Sequence, residues 1–600
     1  VDSNIVANLS FSRGTTSTAV GFVGIRNTSG ATLINDNMIG STNTNGNILI
    51  TENFTTPSTS NGIINASGNS VIEKNTISGI TLAGSSAAIG HNFNGILVSG
   101  GICTVNENTI GSSTLANSIF CNNASTNTTG QFLNGVNYTS TPIGTGYNIT
   151  NNTIANLTNN ALSAASNLRG ISTSSATSGV FDISNNQIYS LTNAAANTLT
   201  GVSAGTIGIL FQRTNAVGQN ISNNTIHSLV STAASAQTTV TGIVYAGPTS
   251  GTHNVSANNI HSLSAASSNA NSTITGIEAL SGIARYHNNM IRLGIDADGN
   301  SISTGYNIRG IWQGSGTANN FYYFNTVYIG GDNVGGTNNS FAYHRSTGTA
   351  TTNIRNNIFF NERSNGAGSG FHYAVGLNAN TAVTLDYNIY KTDGNNGSVG
   401  LINTTAYPTL VDFQNTFSSN DLNSLYGPVP LVNATGNAAQ VDLHVDLASP
   451  SQHESAGVVI VGFDTDFDGD PRGPYPIAGD IEGTAPDIGA DEGNFMPADV
   501  TPPTIVYTPI PTQQSLAGPI LDATITDVSG VNITSGTKPR LYFKYSTNAN
   551  TFAGNTNSND GWKFVESPST SSPFTFNIDY ALLFGGLPVG GETVEYFVVA

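Results

Sequence analysis

A column of aromatic, histidine and arginine residues recurs at nearly regular spacing between residues 189 and 390. Each member directly follows an isoleucine or a valine, and Trp312 lies close by; the column consists of Tyr189, His227, His261, Arg292, Tyr328, Phe359 and Tyr390. Flat rings in a row can stack on sugar rings, and arginine and histidine can hydrogen-bond to hydroxyl groups. These eight residues therefore predict a glycan-binding stripe. Another explanation stays open: the same residues are good strand formers that stabilise one another between neighbouring repeats, under a covering loop.

Four aspartates in the densest acidic stretch have the spacing of a calcium-binding loop. They are Asp464, Asp466, Asp468 and Asp470. With Gly469 they match the pattern D-x-D-x-D-G, and carboxylate oxygens are the ligands that Ca²⁺ prefers. The twelfth position is Tyr475 instead of the glutamate of an EF-hand, and no flanking helices are predicted. A structural calcium site is one interpretation, and ion pairing of these carboxylates with Arg472 is the other.

The carboxylates within the repeats give no sign of a catalytic pair. Enzymes that cleave sugar chains need clustered carboxylates. Those of the repeats are scattered and share no position: Asp182, Glu278, Asp332, Glu362 and Asp386. No metal-type histidine spacing, nucleophile elbow or phosphate loop is present either. We therefore predict no catalytic residues, and no cofactor apart from the candidate calcium ion.

The two cysteines, Cys103 and Cys121, leave two interpretations open. They form one disulfide across a short loop if the protein resides in an oxidising compartment. Otherwise they are two buried free thiols, and spacing alone does not decide between these possibilities.

The column belongs to a repeat that runs through two thirds of the chain. Its anchor is the isoleucine or valine before each column residue, and successive anchors from Ile39 to Ile389 are 31 to 44 residues apart. Two positions before the anchor stands an asparagine in every repeat but the last, which has Tyr387. These asparagines are Asn37, Asn75, Asn108, Asn152, Asn186, Asn224, Asn258, Asn289, Asn325 and Asn356. A glycine followed by an apolar residue, as in Gly242–Ile243, marks a second fixed point.

These repeats predict stacked coils of β-strands. Each repeat contains short β-branched runs without helical periodicity, and one repeat cannot bury its apolar side alone. Stacking buries a continuous core, with each strand pairing with its counterpart in the next coil. The recurring asparagine suits a corner because it tolerates the left-handed region, and stacked asparagines can bond to one another along the rod. If the anchor points inward, the column residue points outward.

The pattern resembles the right-handed parallel β-helix of the pectate-lyase-like superfamily, especially secreted bacterial proteins with "NNTI" and "GI" repeats. The resemblance covers roughly residues 1–495 and implies about eleven or more coils, each with one variable loop. The segments "DFDGDPR" and "PDIGADE" (residues 466–472 and 486–492) are similar to the endings of such proteins. The resemblance implies β-helix coils over 1–400 and terminal coils with an acidic cap over 401–495. It identifies a fold far more specifically than a function.

The remaining residues predict a second domain. Residues 496–511 form a Pro-rich linker, and 512–600 alternate as in an antiparallel sandwich, resembling the Ig-like or fibronectin-like modules of bacterial surface proteins without the last strand. The chain begins with "VDSNIV" and ends inside a predicted strand, so we expect targeting segments to lie beyond both ends.

Composition excludes two classes of partner. The chain has 17 Lys and Arg against 35 Asp and Glu, a net charge of −18. So few cations argue against nucleic-acid binding, and the absence of a long apolar stretch argues against membrane insertion.

Three functions remain as hypotheses. The first is a non-enzymatic structural or adhesive protein, extracellular or at the surface of a bacterium, with glycans or with cell-surface or secretion-system proteins as partners. Its composition and modules resemble proteins exported by the type IX system of Bacteroidota. The second is a polysaccharide lyase or glycoside hydrolase acting in the groove of the β-helix. The third is a structural filament or secreted cargo domain without a ligand.

Overall fold

The computed structural model describes residues 1–13, 21–52, 58–84, 91–122, 130–141, 144–174, 179–214, 218–314, 318–417, 421–473, 485–498, 502–527 and 529–600. Residues 474–484 of the acidic stretch and 499–501 of the predicted linker lie outside this description. The chain divides into two compact units, Val1–Met496 and Pro497–Ala600, so the division falls where the Pro-rich segment begins. Within the described residues, no helix is long and apolar enough to span a membrane.

Three long sheets build the first unit, and the chain visits them in turn. Sheet 1 consists of Leu33–Asn35, Val71–Glu73, Thr104–Asn106, Gly144–Thr150, Gly179–Ser184, Asn220–Ser222, Asn254–Ser256, Arg285–His287, Asn320–Tyr323, Thr352–Arg355 and Val383–Asp386. Sheet 2 consists of Ile5–Val6, Leu9–Arg13, Met38–Gly40, Ile48–Glu52, Thr76–Ser78, Ile80–Gly84, Thr109–Gly111, Ile119–Asn122, Thr153–Asn159, Gln187–Asn193, Thr225–Ser231, Asn259–His261, Ser264–Ala265, Met290–Leu293, Thr326–Ile329, Ile358–Asn361, Ile389–Lys391 and Leu425–Tyr426. Sheet 3 consists of Val23–Asn27, Ser58–Asn65, His91–Val98, Phe132–Tyr138, Asn167–Ser174, Thr206–Gln212, Thr239–Ala246, Thr273–Ser281, Asn307–Gln313, Ser340–Arg345, His372–Leu377, Gly397–Ile402 and Thr405–Tyr407.

The predicted parallel β-helix is confirmed, with about eleven turns. Like strands pair in parallel from one coil to the next, so that Ile188 lies beside Ile226 and Ile226 beside Ile260. These anchors are completely buried in one core that extends along the unit. The stacked β-branched side chains fill the interior that no single coil could close.

The glycine marker is explained by close packing between coils. A Cβ atom added to Gly242 would lie 2.6 Å from the carbonyl oxygen of Gly276 in the next coil and 2.6 Å from Cγ2 of the anchor Ile260. No side chain fits at those distances, so this position within the strand Thr239–Ala246 requires glycine.

The asparagine ladder is also present, and it is longer than predicted. One side-chain hydrogen bond of 2.8 to 3.0 Å joins each successive pair. The members are Asn4, Asn37, Asn75, Asn108, Asn152, Asn186, Asn224, Asn258, Asn289, Asn325, Asn357 and Asn388.

The prediction that Asn356 belongs to the ladder is wrong by one residue. Val327 pairs with Phe359, so Asn357 takes the ladder position and Phe359 becomes the anchor. The next coil follows the same register, with Asn388 in place of the predicted exception, Tyr387. The sequence is compatible with either register, because residues 356 and 357 are both asparagine and residues 358 and 359 are both apolar. Only the pairing with the preceding coil distinguishes the two registers.

The left-handed corner residue is the one before each ladder asparagine. Asn151, Asn185 and Asn223 have φ of 56° to 57°, whereas the ladder asparagines that follow them are not among the residues with positive φ. The ladder residue is asparagine because of its hydrogen bonds, and backbone conformation explains only its neighbour.

A short segment closes the C-terminal end of the rod. The strand Thr405–Tyr407 turns back antiparallel on Gly397–Ile402 of sheet 3, and the helix Leu410–Gln414 places Phe413 against Gly400, over the core. Ser424 accepts the backbone N–H of Asn388 and ends the ladder. Asp421 is completely buried there; Tyr390 donates to its Oδ1 and Oδ2 has no partner.

Asp421 predicts that stability falls as pH rises. Burial raises its pKa to about 7, well above the value of an unfolded aspartate. Between these two values the unfolded chain releases a proton that the folded chain keeps, so stability is lost as pH rises from about 4 to about 7, by roughly 4 kcal/mol. We expect Asp421→Asn to remove this part of the pH dependence and to be more stable than the native chain at pH 8. Denaturant unfolding at several pH values checks this, and an unchanged pH profile in the variant would contradict it.

The described part of the acidic segment lies along the side of the rod instead of capping its end, which corrects the predicted cap. Residues 427–473 and 485–496, here called the covering layer, contain the antiparallel pair Leu431–Asn433 and Asp442–Val445. The layer packs on the outer side of sheet 2 through Val429, Leu443, Val445, Ile488, Ala490 and Phe495, against Met290, Tyr328, Ile358, Phe360 and Ile389. Hydrogen bonds from Ala490 N–H to Thr326 Oγ1 and from Gly489 N–H to the Asn356 carbonyl fix it there.

The second unit contains two three-stranded antiparallel sheets around one apolar core. One sheet consists of Thr504–Tyr507, Ile520–Thr526 and Phe574–Asn577, and the other of Lys563–Glu566, Arg540–Tyr545 and Val594–Val599. The strand Ile520–Thr526 alternates strictly between exposed and buried side chains, as predicted for a sheet with one buried face.

Candidate functional site

The first three side chains of the predicted stripe, Tyr189, His227 and His261, stack on one another. The rings of Tyr189 and His227 lie 5.0 Å apart and those of His227 and His261 lie 4.9 Å apart, all parallel within 2°. Burial lowers the pKa of His227 to about 4 and that of His261 to about 3. Both imidazoles are therefore neutral at physiological pH. Tyr189 and His227 are half-buried, and His261 is buried.

The second half of the predicted stripe is covered, so the prediction of a solvent-facing stripe is wrong there. The guanidinium of Arg292 donates to the carbonyls of Ile295 and, in the covering layer, Gly436. Tyr328 is buried beneath the same layer. Phe359 and Tyr390 point into the core, because the register of the last two coils places them at the anchor position.

The predicted calcium ligands do not converge on one point. Asp466 Oδ1 accepts the backbone N–H groups of Asp468, Gly469 and Asp470, and its Oδ2 accepts the N–H of Glu492. The Asp466 carboxylate is thus used to fold the loop. Asp464 and Asp470 are exposed and do not belong to the group of His, Cys, Asp and Glu side chains whose ligand atoms converge among the described residues. The other interpretation was that these aspartates pair with Arg472. The ion-pair partner of Arg472 is Glu492, whose Oε2 lies 2.8 Å from Nη1 of the guanidinium.

Both cysteines are free and completely buried, so the disulfide interpretation is wrong and the buried-thiol interpretation holds. Cys103 receives an N–H···S contact from Asn65, and burial raises the pKa of the Cys121 thiol.

A cluster of polar and aromatic side chains lies on the outer side of sheet 3, and we call it the sheet 3 patch. It consists of Glu278, Arg309, Trp312, Phe341, His344, Phe371 and Tyr373. These residues alternate with inward residues such as Ile277, Ile311 and Tyr343, which belong to the core. Strand alternation in four adjacent coils therefore brings side chains from distant parts of the sequence onto one face.

The rings of the patch form a continuous row. Phe341 stacks on His344 at 4.1 Å and on Tyr373 at 5.2 Å, and Phe371 continues the row at 5.9 Å from Tyr373. Gly376 makes this possible, because a Cβ atom there would lie 2.6 Å from the Phe341 ring. Phe371 is 43% exposed, so the row ends in a ring open to solvent.

Arg309 links the aromatic row to a tryptophan. Its guanidinium lies 4.4 Å from the centre of the Trp312 ring, and its Nε donates to Nδ1 of His344 at 3.1 Å. Trp312 in turn donates from its indole nitrogen to Ser346 at 2.8 Å. The planes of these groups are therefore fixed in advance, which reduces the entropy that a ligand must overcome on binding. Burial and the nearby Arg309 lower the pKa of His344 to about 3, so His344 is a neutral acceptor.

Glu278 is the unsatisfied polar group of the patch. It is 1% exposed, and neither carboxylate oxygen accepts a hydrogen bond that meets ordinary geometry. Cβ atoms built on Gly201 and Gly314 would lie 3.7 Å from Oε1, so both glycines pack close to the carboxylate. Burial raises the pKa of Glu278 to about 7, although the charge of Arg309 and the backbone N–H of Gly201 oppose this rise.

Chemically, the patch offers the exposed ring of Phe371, the half-buried ring of Trp312 and the fixed cation of Arg309, beside a carboxylate without a well-formed hydrogen bond. Sugar rings present apolar faces and hydroxyl donors, which these groups complement. Of the eight residues predicted to bind a ligand, only Trp312 belongs to the patch. The other six residues of the patch were not predicted, because the predicted stripe follows the outward positions of sheet 2. The same alternation applied from the glycine marker, as in Gly276–Ile277 and Gly310–Ile311, points to Glu278 and Trp312.

The fold defines this chain as a parallel β-helix repeat protein. Comparison of the chain with protein-family models, curated proteins and solved structures finds no match. The fold is consistent with both enzymes and non-enzymes, so it does not by itself select a function.

Proposed function

We propose that this chain is a non-enzymatic adhesive or structural rod at the surface of a bacterium, and that the sheet 3 patch binds glycans. The observation that carries the proposal is the row of rings ending in exposed Phe371, next to Arg309 and the unsatisfied Glu278. Export by the type IX system, an Ig-like identity for the C-terminal unit and kinship with pectate-lyase-like proteins belong to the same proposal. They are supported by the sequence resemblance and by the β-helix fold.

Substitution of the patch rings tests the proposal. We expect Trp312→Ala and Phe371→Ala each to weaken binding to glycans by about tenfold or more, because each removes a stacking surface. The measurement is binding to a glycan array, followed by titration of each hit. Phe132→Ala is the matched control, since Phe132 is also an exposed ring at the start of a sheet 3 strand, 37% exposed but outside the patch.

Binding that survives both patch substitutions would contradict the location of the site. If the native chain binds no glycan on the array, the proposed adhesin is wrong, and the rod without a ligand, as a filament or cargo domain, becomes the better account.

A polysaccharide lyase or hydrolase is the second candidate, and Glu278 is the observation in its favour. A carboxylic acid with a pKa of about 7 suits general acid catalysis at neutral pH. Sugar hydrolysis needs a second carboxylate facing the first. Within the described residues, the charged side chain that acts on Glu278 is Arg309, so we prefer the binding function. Release of reducing or unsaturated sugars by the native chain but not by Glu278→Gln would overturn this preference.

A further inference from the structure

We propose that His444, Asp468 and Asp491 form a binding site for a divalent transition-metal ion such as Zn²⁺, within the covering layer. Each offers one ligand atom, and these atoms lie within 4.8 Å of one another. Within this group, His444 Nε2 and Asp468 Oδ2 are 2.9 Å apart. Ligands of a tetrahedral zinc ion are separated by about 3–4 Å, given metal–ligand distances of roughly 2 Å, so small side-chain adjustments suffice.

The imidazole is oriented as in known metal centres. His444 Nδ1 lies 2.6 Å from Asp442 Oδ1, and the backbone N–H of His444 donates to the same oxygen at 3.0 Å. A carboxylate on the far ring nitrogen fixes the tautomer that presents Nε2 to a metal. Asp442 is therefore a positioning residue, and Asp468 lies on the metal side of the ring.

The third ligand is fixed by its surroundings. Asp491 is only 8% exposed, and its Oδ2 accepts the N–H of Val445 at 2.7 Å, in the strand that carries His444. Asp491 is therefore a nearly buried carboxylate that lies beside a histidine and a second carboxylate. A cation bound by all three side chains would offset the cost of burying this charge.

The donor set selects the kind of metal. One imidazole nitrogen and two carboxylate oxygens suit zinc and similar ions and leave a fourth position open. Ca²⁺ takes six to eight oxygen ligands, which this group does not supply. The ion would join three separate segments of the covering layer: the strand Asp442–Val445, the loop 464–470 and the loop 487–492. It would thereby hold the layer closed over sheet 2.

Metal titration of the full chain tests the site. After treatment with a chelator, the chain is titrated with ZnCl₂ by calorimetry, and with CoCl₂ while the visible absorption of bound cobalt is recorded. We expect one ion per chain, with affinity at least tenfold lower in Asp468→Asn and roughly 10- to 100-fold lower in Asp442→Asn. Asp470→Asn is the matched control, because Asp470 is an exposed aspartate of the same loop outside the ligand group, and it should keep the native affinity. Asp468 is 51% exposed, so its substitution should not unfold the layer.

Three results would overturn the proposal. They are the absence of saturable binding, an equal loss in the Asp468 and Asp470 variants, and tighter binding of CaCl₂ than of ZnCl₂. The first would leave Asp442, His444 and Asp468 as an ion-paired triad without a metal.

Discussion

Replacement of Asn224 by alanine is expected to lower the free energy of unfolding by about 3–5 kcal/mol. Asn224 Oδ1 accepts both the backbone N–H and the side-chain Nδ2 of Asn186. Its own Nδ2 donates to the Ile183 carbonyl and to Asn258 Oδ1. All of these groups are buried, so alanine leaves several donors and acceptors without partners, and each costs about 1–3 kcal/mol.

The adjacent Asn223 provides the matched control for this prediction. Its φ is 56°, its side chain is exposed, and no side-chain hydrogen bond is described for it. Asn223→Gly keeps the left-handed backbone accessible and should change stability by less than about 0.5 kcal/mol. Denaturant unfolding of the full chain, with amide hydrogen exchange in the strands Gln187–Asn193 and Thr225–Ser231, gives the comparison. Equal effects of the two substitutions would show that the ladder does not stabilise the rod.

Replacement of Arg472 by methionine is expected to destabilise the covering layer by about 3–5 kcal/mol. The guanidinium is buried, lies 4.1 Å from the Phe324 ring and donates to Glu492 and to the carbonyls of Gly489 and Ala490. Methionine fills much of the same volume but leaves the buried carboxylate of Glu492 without its cation. The loss should be smaller in mildly acidic than in alkaline buffer, because protonation removes the unpaired charge.

The measurement is limited proteolysis and amide hydrogen exchange within residues 441–473 and 485–495. Arg540→Met is the control, since Arg540 also pairs with a glutamate, Glu566, at 2.8 Å, but in a partly exposed setting of the second unit. A surface pair contributes at most about 1 kcal/mol, so this control should change little. If the covering layer of the Arg472→Met variant resists proteolysis and hydrogen exchange as well as that of the native chain, the buried ion pair does not stabilise the layer.

Repetition made the fold predictable. Asparagine and isoleucine at fixed separation in successive repeats imposed stacked coils, and the structure has them, because a property shared by every coil does not depend on any single contact. The errors fall where the repeat is ambiguous or ends. Asn356 and Asn357 are chemically identical, so only the pairing of Val327 with Phe359 sets the register.

The candidate site was less predictable because it depends on which outer face stays open. The outward column on sheet 2 was correctly located from Tyr189 to Tyr328, but nothing in the repeat indicates that residues 427–473 and 485–496 return to cover it. Arg292 illustrates this, since its partner Gly436 lies 144 residues away. Glu278 was seen only as a scattered carboxylate, because its significance comes from Arg309, Gly201 and Gly314, which reach it through the fold.

Trp312 can report directly on the proposed binding of glycans to the sheet 3 patch. The chain contains two tryptophans, Trp312 and Trp562, so the variant Trp562→Phe has emission from Trp312 alone. Titration of this variant with a glycan identified on the array should change the emission with the same saturation curve as binding measured by calorimetry. Saturable binding that leaves the Trp312 emission unchanged would contradict binding at the sheet 3 patch.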